Sequence, residues 1–139
     1  MLLLDRCIKV VVTVLLALPM TTASAAWTKA SINEVGTTYI DRDTILRAGD
    51  KVKVWELTDH DEVPVKQFPY LSTKRQSEYD CKEKRYRLIS VSSHSGRMGT
   101  GEVMNRATNY SPKWEPVLPG STAELVMKLA CFRRGKATG

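Results

Sequence analysis

An α+β fold, an antiparallel sheet of about six strands carrying one C-terminal helix and one disulfide, is predicted by three observations on this sequence. Short alternating segments rich in Val, Ile, Thr, Tyr and Trp follow one another from residue 27 to residue 106, punctuated by Gly, Asn, Asp and Ser. A helical spacing of apolar residues occurs late in the chain, over residues 122–131. Two of the three cysteines, Cys81 and Cys131, fall outside a leader that directs the chain to an oxidising compartment.

That leader comes first in the chain. Arg6 and Lys9 precede an apolar run over residues 10–18, Pro19 breaks it, and Ala23, Ser24, Ala25 and Ala26 follow. This order predicts a secretory signal peptide over residues 1–26, cleaved after Ala25 or Ala26. A run of roughly ten residues is too short to cross about 30 Å of hydrocarbon, so no transmembrane anchor is expected. Cys7 precedes the run and would be lost with the leader, leaving an unlipidated domain, residues 27–139. Losing Arg6, Lys9 and Asp5 leaves the exported chain one charge below the whole chain's +6. So modest an excess favours solubility and weak attraction to anionic surfaces, and the length suits one domain with one core. In an exported chain the remaining cysteines are read as one disulfide, which for a loop of about 50 residues stabilises by on the order of 4 kcal/mol. A free catalytic thiol is the alternative, without a histidine motif to support it.

Residues 27–32 alternate loosely, 33–36 turn, and 37–41 are rich in Thr, Tyr and Ile, which predicts a β-hairpin. Residues 41–47 are charged with Ile45 and Leu46 adjacent, which suggests one short helical turn under the sheet, closed by Gly49 and Asp50. Residues 51–58 place Val52 and Val54 on one face and Trp55 and Leu57 on the other, the pattern of a central strand. Residues 68–79 hold few apolar side chains and read as an edge strand that resists pairing, ended by Cys81. After a turn at 82–84, residues 85–94 return as a strand, 95–99 turn, 101–106 form a sixth strand, and 105–112 are a polar connection. Trp114 and the proline-punctuated run to Gly120 then lead into a helix beginning near Thr122. Ser121 is its N-cap, with Glu124 three residues on. Its apolar residues run nearly all the way round, so cover on most sides is expected, across the concave face of the sheet. Trp114 is expected to pack under the helix it introduces.

The chemistry of common enzyme sites is missing. There is no glycine-rich phosphate loop, paired-cysteine metal motif or nucleophile elbow, so neither catalysis nor a cofactor is expected. Asp59, His60, Asp61 and Glu62 resemble a metal site, but without a second ligand set they read as a solvated loop, and no metal is expected. His94 lies between Ser93 and Ser95, whose side chains point away from it on a strand, and reads as a hydrogen-bonded surface histidine. Nucleic acid is not an expected partner, because the aromatic residues are not interleaved with the basic ones.

A family resemblance goes further. Trp27; Gly36, Tyr39 and Asp41; Thr44, Arg47 and Gly49; Val52, Lys53, Val54 and Trp55 with Asp59; Ser72 and Lys74; Asp80 and Cys81; Gly99, Thr100 and Gly101; Trp114, Glu115, Pro116 and Val117, then Pro119, Gly120 and Ser121; and Cys131 together resemble the surface-adhesin protein E-like domain of Gram-negative bacteria. The resemblance covers essentially the whole mature chain. It implies a six-stranded antiparallel sheet with a packed C-terminal helix, and a non-enzymatic adhesin that binds host extracellular-matrix and serum glycoproteins and can form homodimers. The family's adhesin carries a lipidated cysteine at its cleavage site, and this sequence has none there. The expected location is therefore the periplasm or the cell surface, and a small soluble periplasmic envelope or inhibitor protein is the alternative function.

The disulfide adds one candidate site. Bonded cysteines bring their Cα atoms to about 5.5 Å, so Lys82, Lys84 and Arg85 on one side and Arg133, Arg134 and Lys136 on the other are expected to meet at one corner. With the helix C-terminus there, this corner is a candidate patch for anionic glycans or acidic envelope lipids. The plain alternative is solvated charge partly neutralised by Asp80 and Glu83.

Overall fold

Alternation of apolar and polar residues over most of the chain builds one antiparallel sheet. The computed structural model describes residues 26–60, 69–108 and 113–132. The expected leader before Ala26, Asp61 and Glu62 of the polar loop, Phe68, and Arg133, Arg134 and Lys136 lie outside the described residues. Strands β1 (Trp27–Asn33), β2 (Gly36–Ala48), β3 (Lys51–Asp59), β4 (Ser72–Asp80), β5 (Arg85–His94) and β6 (Val103–Thr108) pair in sequence order. A two-residue seventh strand, β7 (Glu115–Pro116), pairs with β5, and helix α1 (Thr122–Cys131) follows. Among the described residues no helix is long and apolar enough to cross a membrane.

The helix packs on β1, β2 and β3. Ser121 accepts a hydrogen bond from the Glu124 amide at 3.2 Å, the expected cap. The hydroxyl of Thr122 meets Ser31 and Asn33 of β1 at 3.2 and 3.1 Å, placing the helix start over the first hairpin. At the far end Arg47 donates to the Phe132 carbonyl at 2.9 Å, putting a cation where the helix dipole is negative. The Cys81–Cys131 disulfide, with Cα atoms 5.9 Å apart, ties the same end to β4. Val126, Met127 and Ala130 close over Ile40, Val52, Val54 and Tyr79 to form the core. Cover on most sides does not occur: Leu125 is 40% and Phe132 59% exposed, because the sheet approaches the helix from one side.

Four sequence expectations are corrected. Residues 41–47 form no helical turn; β2 continues through them, with its pairing to β3 interrupted between Asp41 and Leu46. Asp41 shapes the irregularity by accepting from the Asp43 amide and, through its carbonyl, from the Thr44 hydroxyl. Adjacent apolar residues on a strand point opposite ways, so Ile45 packs against the core while Leu46 is 63% exposed. β4 is not an edge; it pairs with both β3 and β5, and its polar residues are matched by charges on the flanking strands. The sixth strand lies two residues later than expected, and β7 was not anticipated, since a bridge ending in proline leaves little pattern. Finally, Val117 rather than Trp114 packs against the core.

Gly36 and Gly99 are fixed by close approach. At Gly36, φ is +144° and a Cβ would collide with the Asp59 carbonyl across the sheet. Gly99, at φ +72°, ends a short 3-10 turn, Arg97–Gly99, and a Cβ there would come within 2.7 Å of the Lys74 side chain.

Candidate functional site

Register assigns every paired strand residue to one of two faces. Trp27 lies opposite Asp41, and Asp41 opposite Trp55, so both tryptophans share the face that the helix leaves open. Lys74 stands over both rings, 5.9 Å from each centroid. Trp114, brought alongside β5 by β7, reaches the same face. Its ring is flanked by the Arg85 and Arg87 guanidiniums at 4.8 and 4.7 Å, with Lys51 at 6.0 Å. All three rings are half-buried, and these are the three tryptophans of the chain.

Between the tryptophans the open face carries ordered charge. Asp80 lies between Lys51 and Arg85, and Glu78 between Lys53 and Arg87. The Glu83 amide first, and then Arg85 and Lys51, hold the Asp80 carboxyl below its usual range. At the other end the Arg97–Gly99 turn is latched down on Leu57. Asp59 accepts from Arg97 and from the Met98 amide at 3.1 and 2.9 Å, and Ser72 accepts from the Gly99 amide at 2.8 Å.

Among the described residues, the helix-bearing face holds one fully buried charge. Glu56 accepts from Arg75 at 2.6 Å and from the Tyr79 hydroxyl at 2.9 Å. The nearby Glu56 carboxylate drives the Arg75 guanidinium still further from deprotonation, and burial pushes the Tyr79 hydroxyl well up. Tyr79 stacks on Tyr86, which donates to Glu115 of β7 at 3.2 Å.

The residues singled out from the sequence are partly brought together. Cys81 and Cys131 are bonded, and Lys82 and Lys84 are exposed in the adjoining turn. Arg85 is instead directed to Asp80 and Trp114, so the corner holds less uncommitted charge than its sequence suggested. In the polar loop, Asp59 is engaged by Arg97, and His60 contacts the Thr73 hydroxyl at 2.9 Å and the Val35 carbonyl at 3.3 Å. His94 is not a surface residue: it is 7% exposed. Its Nε2 meets the Ser92 hydroxyl at 2.9 Å, while its buried Nδ1 has no hydrogen-bond partner among the described residues. A serine–histidine pair is thus present without a carboxylate on the second nitrogen to orient it. Burial first, then Lys74 and Arg106, hold the His94 imidazole below its ordinary pKa. Sequence reasoning passed over Lys74, Arg106 and the shared face of Trp27 and Trp55. The alternation that places them was legible, but the register that joins separate strands was not.

A shallow groove of about 630 Å³ lies between the outer part of β2 and the helix end, but its Arg47 is spent on the Phe132 carbonyl. Comparison with known proteins gives one family: the model for surface-adhesin protein E matches residues 27–132. Among solved structures, the Se-Met form of Haemophilus influenzae protein E superposes with a TM-score of 0.58 at 17% identity, covering 82% of this chain and 92% of that one. Crystal form II of the same protein gives 0.57 at 16%, covering 78% and 88%. Protein E from non-typeable Haemophilus influenzae gives 0.53 at 17%, covering 82% and 80%. At such identities the likeness is one of fold. No curated protein matches the sequence.

Proposed function

The chain belongs to the surface-adhesin protein E family, and from that membership we propose that it is an exported, non-enzymatic binding module of the cell envelope. Residues 1–26 are its cleaved leader and residues 27–139 the mature domain. Its ligands are host extracellular-matrix or serum glycoproteins, met through the open face of the sheet, and it self-associates as a homodimer. One observation carries this reading: Trp27, Trp55 and Trp114 all lie on the face without the helix, half-buried and flanked by cations. Half-buried tryptophan and arginine are the residue types that dominate binding energy at protein surfaces. The exposed corner cations Lys82 and Lys84, with Arg133, Arg134 and Lys136, are a second contact for anionic glycans.

Fractionation with protease shaving of intact cells tests the location. An adhesin is cut from outside, whereas a chain protected in whole cells and released by osmotic shock supports the periplasmic alternative. Capture on immobilised matrix glycoproteins then tests the face: Trp55→Ser should weaken capture at unchanged fold, and Leu125→Ser on the helix should leave it unaltered.

A further inference from the structure

At the β4–β6 end of the open face, register sets Lys74, Ser92 and Arg106 side by side in one row across three strands. With His94 in the next row towards one strand end, and Trp55 and Ser90 towards the other, they line a recess of about 260 Å³. Elsewhere on this face the cations are neutralised: Lys51 and Arg85 by Asp80, Lys53 and Arg87 by Glu78, and Arg97 by Asp59. Here, among the described residues, no carboxylate lines the recess and neither Lys74 nor Arg106 is ion-paired.

The second observation is the His94 ring. Its Nδ1 is the buried side-chain polar atom left without a partner among the described residues, and native interiors rarely leave such an atom unmatched. Two cations, the Ser90 hydroxyl and, when Ser92 donates to Nε2, the Nδ1–H of a neutral His94 form a donor set that lacks its acceptor among the described residues. Oxyanions supply that acceptor, and charge-assisted hydrogen bonds to them are the strong ones. The Trp55 ring adds a flat apolar wall, and the volume suits one small ring rather than an extended chain.

We propose that this recess binds a single acidic sugar unit, with its carboxylate or sulfate seated among Lys74, Arg106 and His94 and its ring against Trp55. The inference rests on the binding-module reading for the source of the sugar, the glycans of a glycoprotein partner. The chemistry of the recess stands apart from it.

The test is a titration of the mature chain with glucuronate, glucose 6-sulfate, glucose and sodium chloride at matched ionic strength, following the His94 ring and Trp55 indole resonances by NMR. A saturable shift with glucuronate assigns the carboxylate and one with glucose 6-sulfate the sulfate ester; response to both supports the shared chemistry. Arg106→Gln, at an exposed position on β6, and Lys74→Gln should each weaken the apparent Kd about tenfold, and Lys128→Gln, at an exposed position on the helix, should leave it unchanged. Drift that chloride reproduces, or a Kd indifferent to Arg106→Gln, overturns the proposal, because general screening then accounts for the response. If the acidic sugar binds while glycoprotein capture fails, the recess stands and the adhesin reading falls; the reverse result removes the recess alone.

Discussion

The two faces of the sheet are built from the same strands and differ by one residue step. On β3, Val52 and Val54 lie under the helix with Ile40 and Tyr79, whereas Lys51, Lys53 and Trp55 look the other way towards partnered cations and tryptophan rings. One face is closed by apolar burial, at about 25 cal/mol for each Å² removed from water; the other is held by ion pairs that individually contribute about 0–1 kcal/mol. The contrast teaches that stability and recognition can be separated in a sheet this small. Side chains on the helix side carry the main apolar core, whereas on the open side Leu57, Asp59 and Ser72 hold the Arg97–Gly99 turn and the exposed cations around them can vary.

Substitutions sharpen or break that contrast. The largest effect is expected from replacing Cys81 and Cys131 with Ala, which frees the end of the helix and should cost about 2–5 kcal/mol in urea unfolding. If the helix face alone carries stability, anion binding by the still-folded fraction is unaltered. Next is Arg75→Met, which leaves Glu56 fully buried with the Tyr79 hydroxyl as its remaining hydrogen-bond partner among the described residues and should cost about 3 kcal/mol. A loss below 1 kcal/mol would mean that water reaches Glu56 and that this face is less closed than described.

Trp114→Ala comes third. Since Arg85 and Arg87 flank the ring and the helix does not cover it, the expected cost is about 1–2 kcal/mol, from two cation–π contacts and partial burial. A tryptophan beneath a helix would cost about 3 kcal/mol or more on truncation, so the measured value decides which face owns it.

The smallest effect is a pH dependence. His94 binds its proton less readily in the folded chain than unfolded, so the unfolded state takes up more protons as pH drops below about 6.5. Stability should therefore fall between about pH 6.5 and the lower folded-state pKa, and melting temperatures at pH 7.5 and 5.5 should differ less in His94→Gln than in the parent. An identical difference in both would place the titrating group elsewhere.

Much of the helix-bearing face was legible in the sequence. Val52 and Val54 announce their period, Ser121 and Glu124 mark the helix start, and the two cysteines outside the expected leader have one partner each. The misreadings share a cause. β4 looked like an edge because Lys74, Arg75, Glu78 and Asp80 are charged, yet their partners lie on a strand up to 29 residues away, Lys51 opposite Asp80, in the hydrogen-bonded register. Trp114 was placed by its nearness in sequence to the helix, when a two-residue bridge to β5 turns it to the opposite face. Local pattern reports which side chains share a face of one strand. It does not report which strands become neighbours, and the open face is made of neighbours.

The covalent link between Cys81 and Cys131 also has a mechanical meaning. The bond shunts tension applied through the chain ends past the intervening loop, whose sequence separation is 50, so β5, β6, β7 and the helix cannot be drawn out. At about 3.4 Å per residue, roughly 170 Å of contour is withheld from stretching. Pulling would peel β1 and β2 away first, and the half of the open face that carries Trp114 would stay folded under load that has already unravelled the first hairpin.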